Sequence, residues 1–168
     1  MFLKAEPLTS AAFLPYGEVI ECPRIPGRTY FEDALANLRP KARPSISLTV
    51  KQPLTALPLR STTMERHEFS SQSFIPQEGG RWLAIVAPHA AEARGGAANT
   101  PMPDMARARA FLARPDQGVT YGANVWHHPF TVLDREARFV IVMWKDGTKG
   151  DEEFVEVPEF SVEIPDAL

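Results

Sequence analysis

Residues Gly118–Phe130 read GVTYGANVWHHPF. A glycine-rich turn, a tryptophan and two adjacent histidines stand here at the end of one strand and the start of the next. Successive side chains of an extended segment point to opposite faces, so only one of His127 and His128 can face an interior. A third of the four histidines, His67, lies in MERHEFSSQSFIP (Met64–Pro76). If the two segments face each other, they build a polar site from Glu65, His67, Gln72 and one histidine of the pair.

Outward from these segments, 16 prolines recur from Pro7 to Pro165. Proline is rejected by helix interiors and central strands, which argues for many short elements and against a helical bundle. Ser45–Lys51 alternates Ile46, Leu48 and Val50 with polar neighbours and predicts a strand. Glu18–Glu21, Leu57–Glu68, Gln72–Pro76, Phe154–Val157 and Phe160–Ile164 are further strand candidates. Trp82–Ala87 (WLAIVA) and Phe139–Trp144 (FVIVMW) are apolar on both faces. Such strands need cover on both sides, from a second sheet within the domain and a helix or another subunit outside it. Three short helices are expected. One starts at Leu8–Phe13, capped by Thr9 with Leu8 and Phe13 as a hydrophobic staple. A second spans Phe31–Leu38, and a third Asp104–Ala113, with Met105, Ala108, Phe111 and Leu112 on one face. Pro88–Pro103 lacks periodicity and reads as a long surface excursion, placed to close over the site or join a subunit contact. The whole predicts an all-β sandwich or barrel with a few short helices.

The 168 residues match one domain, 1–168, able to bury a sizeable core. Hydrophobic residues make up 44% and charged residues 23%, the balance of a globular protein, and a net charge of -3 gives no case for nucleic acid. No apolar run of about 18 residues is present, so no membrane span is expected. The N-terminus lacks a secretory apolar core, and the single cysteine, Cys22, forms no internal disulfide and reads as structural. A cytoplasmic location and no nucleotide cofactor are expected.

Glu65 and His67 are two apart in a strand and share a face. Gln72 follows after four residues and Gly79 after six more. This E-x-H-x4-Q-x6-G spacing is similar to the first metal-binding motif of cupins, with Glu65 in place of a histidine and Gln72 in place of a glutamate. The second cupin motif aligns with Gly122-x-Asn124-x-x-His127, which favours His127 over His128 as the inward residue. Imidazole and carboxylate together suit a borderline divalent ion such as zinc, nickel or iron, whereas an amide oxygen is a weak ligand for these. The candidate metal set is His67, Gln72 and His127. Tyr121 and Trp126 stand close enough in sequence to line the site or to pack in the core. His89 reads as a solvated loop histidine. Arg66 and Glu68 are expected to face away, and Asp151-Glu152-Glu153 to form a solvated turn. No nucleophile elbow is present.

ERH-x-x-S-S-Q-x-F-I-P (Glu65–Pro76), R-W-L-x-x-V-A-P (Arg81–Pro88), R-A-F-L (Arg109–Leu112), G-V-x-Y-x-x-x-V-W-H-H-P (Gly118–Pro129) and L-T-x-x-A-F-x-P-Y-G (Leu8–Gly17) together resemble the ureidoglycolate lyase family. The resemblance implies a cupin-type double-stranded β-helix, or jelly-roll barrel, in a homodimer. It implies cleavage of (S)-ureidoglycolate to glyoxylate and urea, late in allantoin and purine breakdown, with a divalent metal, nickel being favoured. It places Glu65, His67 and His127 as catalytic residues and Gln72, Tyr121, Trp126 and His128 as substrate contacts. The chain departs from the family pattern at Thr120, where Asn is common, at Asn124, where Gly is usual, and at Met143-Trp144, where many members carry Asp-Arg. Other chemistries open to such a site are a cupin isomerase, an iron oxygenase or a non-catalytic binder of small acids.

Overall fold

A computed structural model describes residues 1–91 and 101–165. The strands in chain order are β1 (Phe2–Lys4), β2 (Glu6–Pro7), β3 (Gly17–Ile20), β4 (Arg43–Lys51), β5 (Leu59–Arg66), β6 (Gln72–Glu78) and β7 (Trp82–Ala87). There follow β8 (Arg109–Ala113), β9 (Gly118–Tyr121), β10 (Trp126–His127), β11 (Thr131–Val132), β12 (Ala137–Lys145) and β13 (Glu153–Glu163). They form two sheets. One runs β1-β13-β5-β10-β7-β8-β2, with β11 also paired to β7; the other runs β3-β9-β6-β12-β4. Pairing is antiparallel except for β1 with β13 and β2 with β8. The all-β, barrel-like arrangement of two sheets is therefore the fold of the chain.

β7 explains why the sheets close on each other. Trp82, Ala84 and Val86 point into the space between the sheets, where they join Phe74, Tyr121, Phe130 and Phe139. Leu83, Ile85 and Ala87 point the other way, into a second core with Met64, Trp126, Phe160 and Val162. One fully buried strand thus serves two cores with period two. The single α-helix among the described residues, α1 (Ser10–Phe13), starts where the cap predicts: the Ala12 N–H donates to Thr9 Oγ1 at 3.2 Å. Leu8 and Phe13 are both buried. Gly17 follows at φ 150°, and a Cβ there would collide with the Thr120 carbonyl of β9. Only glycine permits that approach.

Three expectations need correction. Asp104–Ala113 is not a helix but a 3-10 turn, Met105–Arg107, leading into β8. Ala110 and Leu112 enter one core while Phe111 and Ala113 enter the other, so pairing with β7 overrides the helix propensity of an alanine-rich segment. Phe31–Leu38 is not a helix either. Its backbone is spent on another segment: Leu38 N–H donates to Phe69 O at 2.8 Å, and Ala36 exchanges bonds with Ser71. Asp151 does not sit in a solvated turn; it is 5% exposed. Of the excursion Pro88–Pro103, residues 92–100 lie outside the described residues; on either side of them, His89 bridges Pro103.

Candidate active site

Strands of both sheets bring the polar residues together. β5 carries Glu65 on its inner face and delivers His67 just past its end. β10 lies between β5 and β7, with His127 opposite both Glu65 and Val86. From the facing sheet, β6 contributes Gln72, opposite Tyr121 on β9 and Met143 on β12. Glu65, His67, Gln72, His127 and Tyr121 are all buried.

Each ligand atom has a fixed orientation. His67 Nδ1 lies 2.7 Å from the Asp151 carbonyl and His127 Nδ1 lies 2.9 Å from the Val125 carbonyl. A carbonyl only accepts, so both Nδ1 atoms carry protons and both Nε2 atoms turn to the site. His67 Nε2 is buried with no hydrogen-bond partner. His127 Nε2 faces Glu65 Oε1 at 3.2 Å and Gln72 Oε1 at 3.1 Å. Glu65, His67 and His127 each offer a ligand atom within 4.8 Å of the others. Converging acceptors with too few donors among them call for a cation, whether a proton or a metal ion. Two imidazoles and a carboxylate leave a divalent ion room for substrate. The residues fit the metal that the sequence expects, with Glu65 joining the two histidines and Gln72 bonded to His127.

The electrostatics follow from burial and from neighbours. Burial pushes the Glu65 carboxyl upward, but the hydrogen bond and charge of His127, with His67 and His128 behind it, hold the net value below the usual carboxylate range. Burial, and then the charge of His127, hold the His67 imidazole below its usual range, which keeps its lone pair available. Tyr121 stacks on His127 with ring centroids 4.1 Å apart and planes 10° apart. Its hydroxyl is buried without a partner, and burial together with Glu65 pushes its pKa far up, so it stays a neutral phenol.

Trp126 and His128 are not brought to this group. Trp126 points to the opposite face, where its Nε1 donates to Pro101 O at 3.0 Å and Arg66 lies 4.7 Å over its ring. His128 is tied to Thr63 O, Ser61 and Thr131 beside Phe160. Arg66 faces away from Glu65 and His67, as alternation predicts, and pairs with Glu153 at 2.6 Å and Asn124 at 2.7 Å. His89 is half-buried, and its Nε2 donates to Asn124 O at 2.7 Å. Cys22 is free and exposed, not part of the core.

The departures from the family pattern also have places. Asn124 has φ 66°, a left-handed conformation that glycine adopts freely and asparagine tolerates. Thr120 bonds Ser73 at 2.8 Å, and Met143 Sδ lies 3.9 Å from Gln72 Nε2. Two residues that matter were not legible as such: Asp151, whose carbonyl orients His67, and Arg39, which holds the Asp151 carboxylate.

The family model described as ureidoglycolate lyase matches residues 1–164. A ureidoglycolate lyase of Rhizobium etli (strain CIAT 652) is 38% identical over 174 aligned positions, covering 98% of this chain and 97% of its own. One of Brucella melitensis biotype 2 is 38% identical over 148 positions, covering 83% of this chain and 81% of its own. Among solved structures, a dTDP sugar isomerase from Desulfovibrio desulfuricans G20 matches with TM-score 0.46 and 15% identity, over 84% of this chain and 82% of that one.

Proposed function

The chain belongs to the ureidoglycolate lyase family, and on that premise we propose that it cleaves (S)-ureidoglycolate to glyoxylate and urea at the Glu65–His67–His127 site. The observation that carries the assignment is the convergence of a ring nitrogen of His67, a ring nitrogen of His127 and a Glu65 oxygen within 4.8 Å of one another. Cupin isomerase, oxygenase and non-catalytic readings are not favoured by the family match.

Ureidoglycolate bears a hydroxyl and a ureido nitrogen on one carbon. Loss of the hydroxyl proton lets the C–O bond become C=O. The C–N bond then breaks with its electron pair going to nitrogen, which takes up a proton as urea. One proton leaves and one is taken up, so a single carboxyl group can carry it. Glu65 is ionised at neutral pH and accepts the hydroxyl proton; the resulting acid returns it to the departing nitrogen. Its Oε1 is engaged by His127, which assigns the proton to Oε2. His67, His127 and Gln72 position the substrate, and Tyr121 braces the His127 ring by stacking. His67, His127 and Glu65 would hold a divalent ion, nickel by family resemblance, whose Lewis acidity would favour loss of the hydroxyl proton.

The reading extends to a homodimer acting in the cytoplasm, late in allantoin and purine breakdown. Ile46, Leu48 and Val50 on the outer face of β4 are 74%, 72% and 58% exposed, beside half-buried Val140 and Val142 of β12. That apolar row supports a contact with a second copy. An exposed free cysteine suits a reducing compartment. Among the described residues, no helix is long and apolar enough to cross a membrane.

The test is incubation with racemic ureidoglycolate, with and without chelator, measuring urea and glyoxylate after subtracting spontaneous breakdown. Equal release of both products with consumption of the (S)-enantiomer alone is expected. A rate no greater than background in the metal-replete protein sinks the assignment.

A further inference from the structure

We propose that Arg39 is a positioning residue for His67: it clamps the Asp151 carboxylate, and so fixes the carbonyl that decides which ring nitrogen of His67 carries the proton. The inference rests on the reading above, in which His67 Nε2 is the atom that meets metal or substrate.

A neutral imidazole carries its proton on either nitrogen, and the partner of one nitrogen sets the state of the other. For His67 that partner is a backbone carbonyl, Asp151 O, at 2.7 Å. Asp151 closes the 3-10 turn Lys149–Asp151 between β12 and β13. A carbonyl in a connecting turn is only as well placed as the turn itself, and this turn is unusually well held. The Asp151 carboxylate accepts from the backbone N–H groups of Asp146 at 3.0 Å and Gly147 at 2.8 Å. It also meets Arg39 Nη2 at 2.5 Å, while Arg39 Nη1 reaches Asp146 at 2.7 Å and Thr148 at 3.2 Å. One guanidinium therefore spans both acids of the turn and a hydroxyl between them, a fork that a lysine ammonium cannot reproduce.

Arg39 is itself anchored to the other side of His67. It directly follows the segment expected as a helix, Phe31–Leu38, whose backbone instead pairs with residues just after His67. Leu38 N–H donates to Phe69 O, Ser71 N–H donates to Ala36 O at 2.9 Å, and the guanidinium lies 5.6 Å over the Phe69 ring. The stretch Ala36–Arg39 thus holds both the chain leaving His67 and the turn whose carbonyl accepts from its Nδ1–H. The outcome is a lone pair on Nε2, buried and unpartnered, facing Glu65 and His127.

An arginine between two carboxylates can also serve merely as a staple between loops, and the tautomer of His67 separates the two roles. Imidazole 15N NMR of the unaltered metal-free protein is expected to show His67 protonated at Nδ1 and bare at Nε2. Arg39→Ala is expected to move the population toward the Nε2-protonated tautomer. Its affinity for Ni2+ or Zn2+, measured by titration calorimetry, is expected to fall about 10–100-fold, the usual effect of losing a partner that orients a ligand. Asp151→Asn keeps the carbonyl but loses the ion pair, and is expected to shift both readouts the same way by less. An Arg39→Ala protein with a lower Tm but an unchanged His67 tautomer and metal affinity overturns the proposal. So does an unaltered protein in which His67 is protonated at Nε2. If Arg39→Ala does not fold, Arg39→Lys and Asp151→Asn are read by the same two measurements, and no change in either variant overturns it. Urea release is not among the readouts. A lack of lyase activity therefore counts against the proposed function, while the tautomer still decides the role of Arg39.

Discussion

His127 and His128 are neighbours in sequence, yet they occupy opposite kinds of interior. On the outer side of the first sheet, His128 donates from Nδ1 to Thr63 O at 3.1 Å, accepts at Nε2 from Thr131 at 3.2 Å, and meets the Phe160 ring edge-on. Trp126, Arg66 and His89 on that side likewise have partners for their polar groups. On the inner side, His67 Nε2 and the Tyr121 hydroxyl are buried with none, and His127 Nε2 faces two acceptor oxygens. Buried polar groups are almost always satisfied by the fold itself. The outer network is complete as it stands, which supports a structural role for it. The inner one leaves buried groups unpartnered where Glu65, His67 and His127 converge, which supports its reading as the candidate site.

The contrast makes graded predictions. The largest effect is expected at Glu65. Glu65→Gln keeps shape and burial but cannot carry a proton, so kcat is expected to fall about 10²–10⁴-fold while Tm stays near the parent value. A loss below tenfold would move the proton transfer elsewhere. On the outer side the pattern inverts. His128→Ala strands the Thr63 carbonyl and the Thr131 hydroxyl, at a cost of about 1–3 kcal/mol in urea unfolding, with kcat within a few-fold of the parent. An inactive but fully stable His128→Ala protein would contradict the division.

A smaller effect is expected in pH dependence. Burial holds the His128 imidazole below its ordinary value of 6.5. Between that lowered folded value and 6.5 the unfolded chain binds a proton that the native chain does not. Stability therefore rises with pH through that window and is lost as pH falls through it. His67 has the same sign. The fall in Tm from pH about 7.5 to about 5.5 is expected to be shallower in His128→Ala than in the parent. Equal slopes would mean that His128 is not held neutral. The smallest effect on the fold is expected at β4. Leu48→Asp is expected to change monomer stability by no more than about 0.5 kcal/mol, as at other exposed sites. It is expected to convert a dimer to a monomer in sedimentation, and an unchanged sedimentation coefficient removes that face from the dimer contact.

Much of this contrast was legible in the chain. Alternation over Glu65–His67 and across His127–His128 places on one face the residues that the structure brings together, because strand period is local geometry. The two-faced apolar run Trp82–Ala87 likewise announces a strand between two cores. Asp104–Ala113 misled because its alanines and Leu112 suit a helix locally, and only pairing with β7 decides otherwise. Phe31–Leu38 misled for the same reason: its helical spacing competes with backbone bonds to Phe69–Ser71 that no local pattern reports. The Asp151 carbonyl was invisible because every residue has one, and its role depends on a turn 84 positions from His67. Trp126 looked like a site residue by proximity to His127, whereas adjacency in a strand puts it on the other face.

The most direct test is steady-state turnover of (S)-ureidoglycolate by His67→Ala beside the unaltered protein, each checked for folding by circular dichroism. Removing the unpartnered Nε2 is expected to reduce urea and glyoxylate release to the spontaneous rate in a protein that remains folded. Normal release of both products by folded His67→Ala would contradict the assignment of the inner face as the active site.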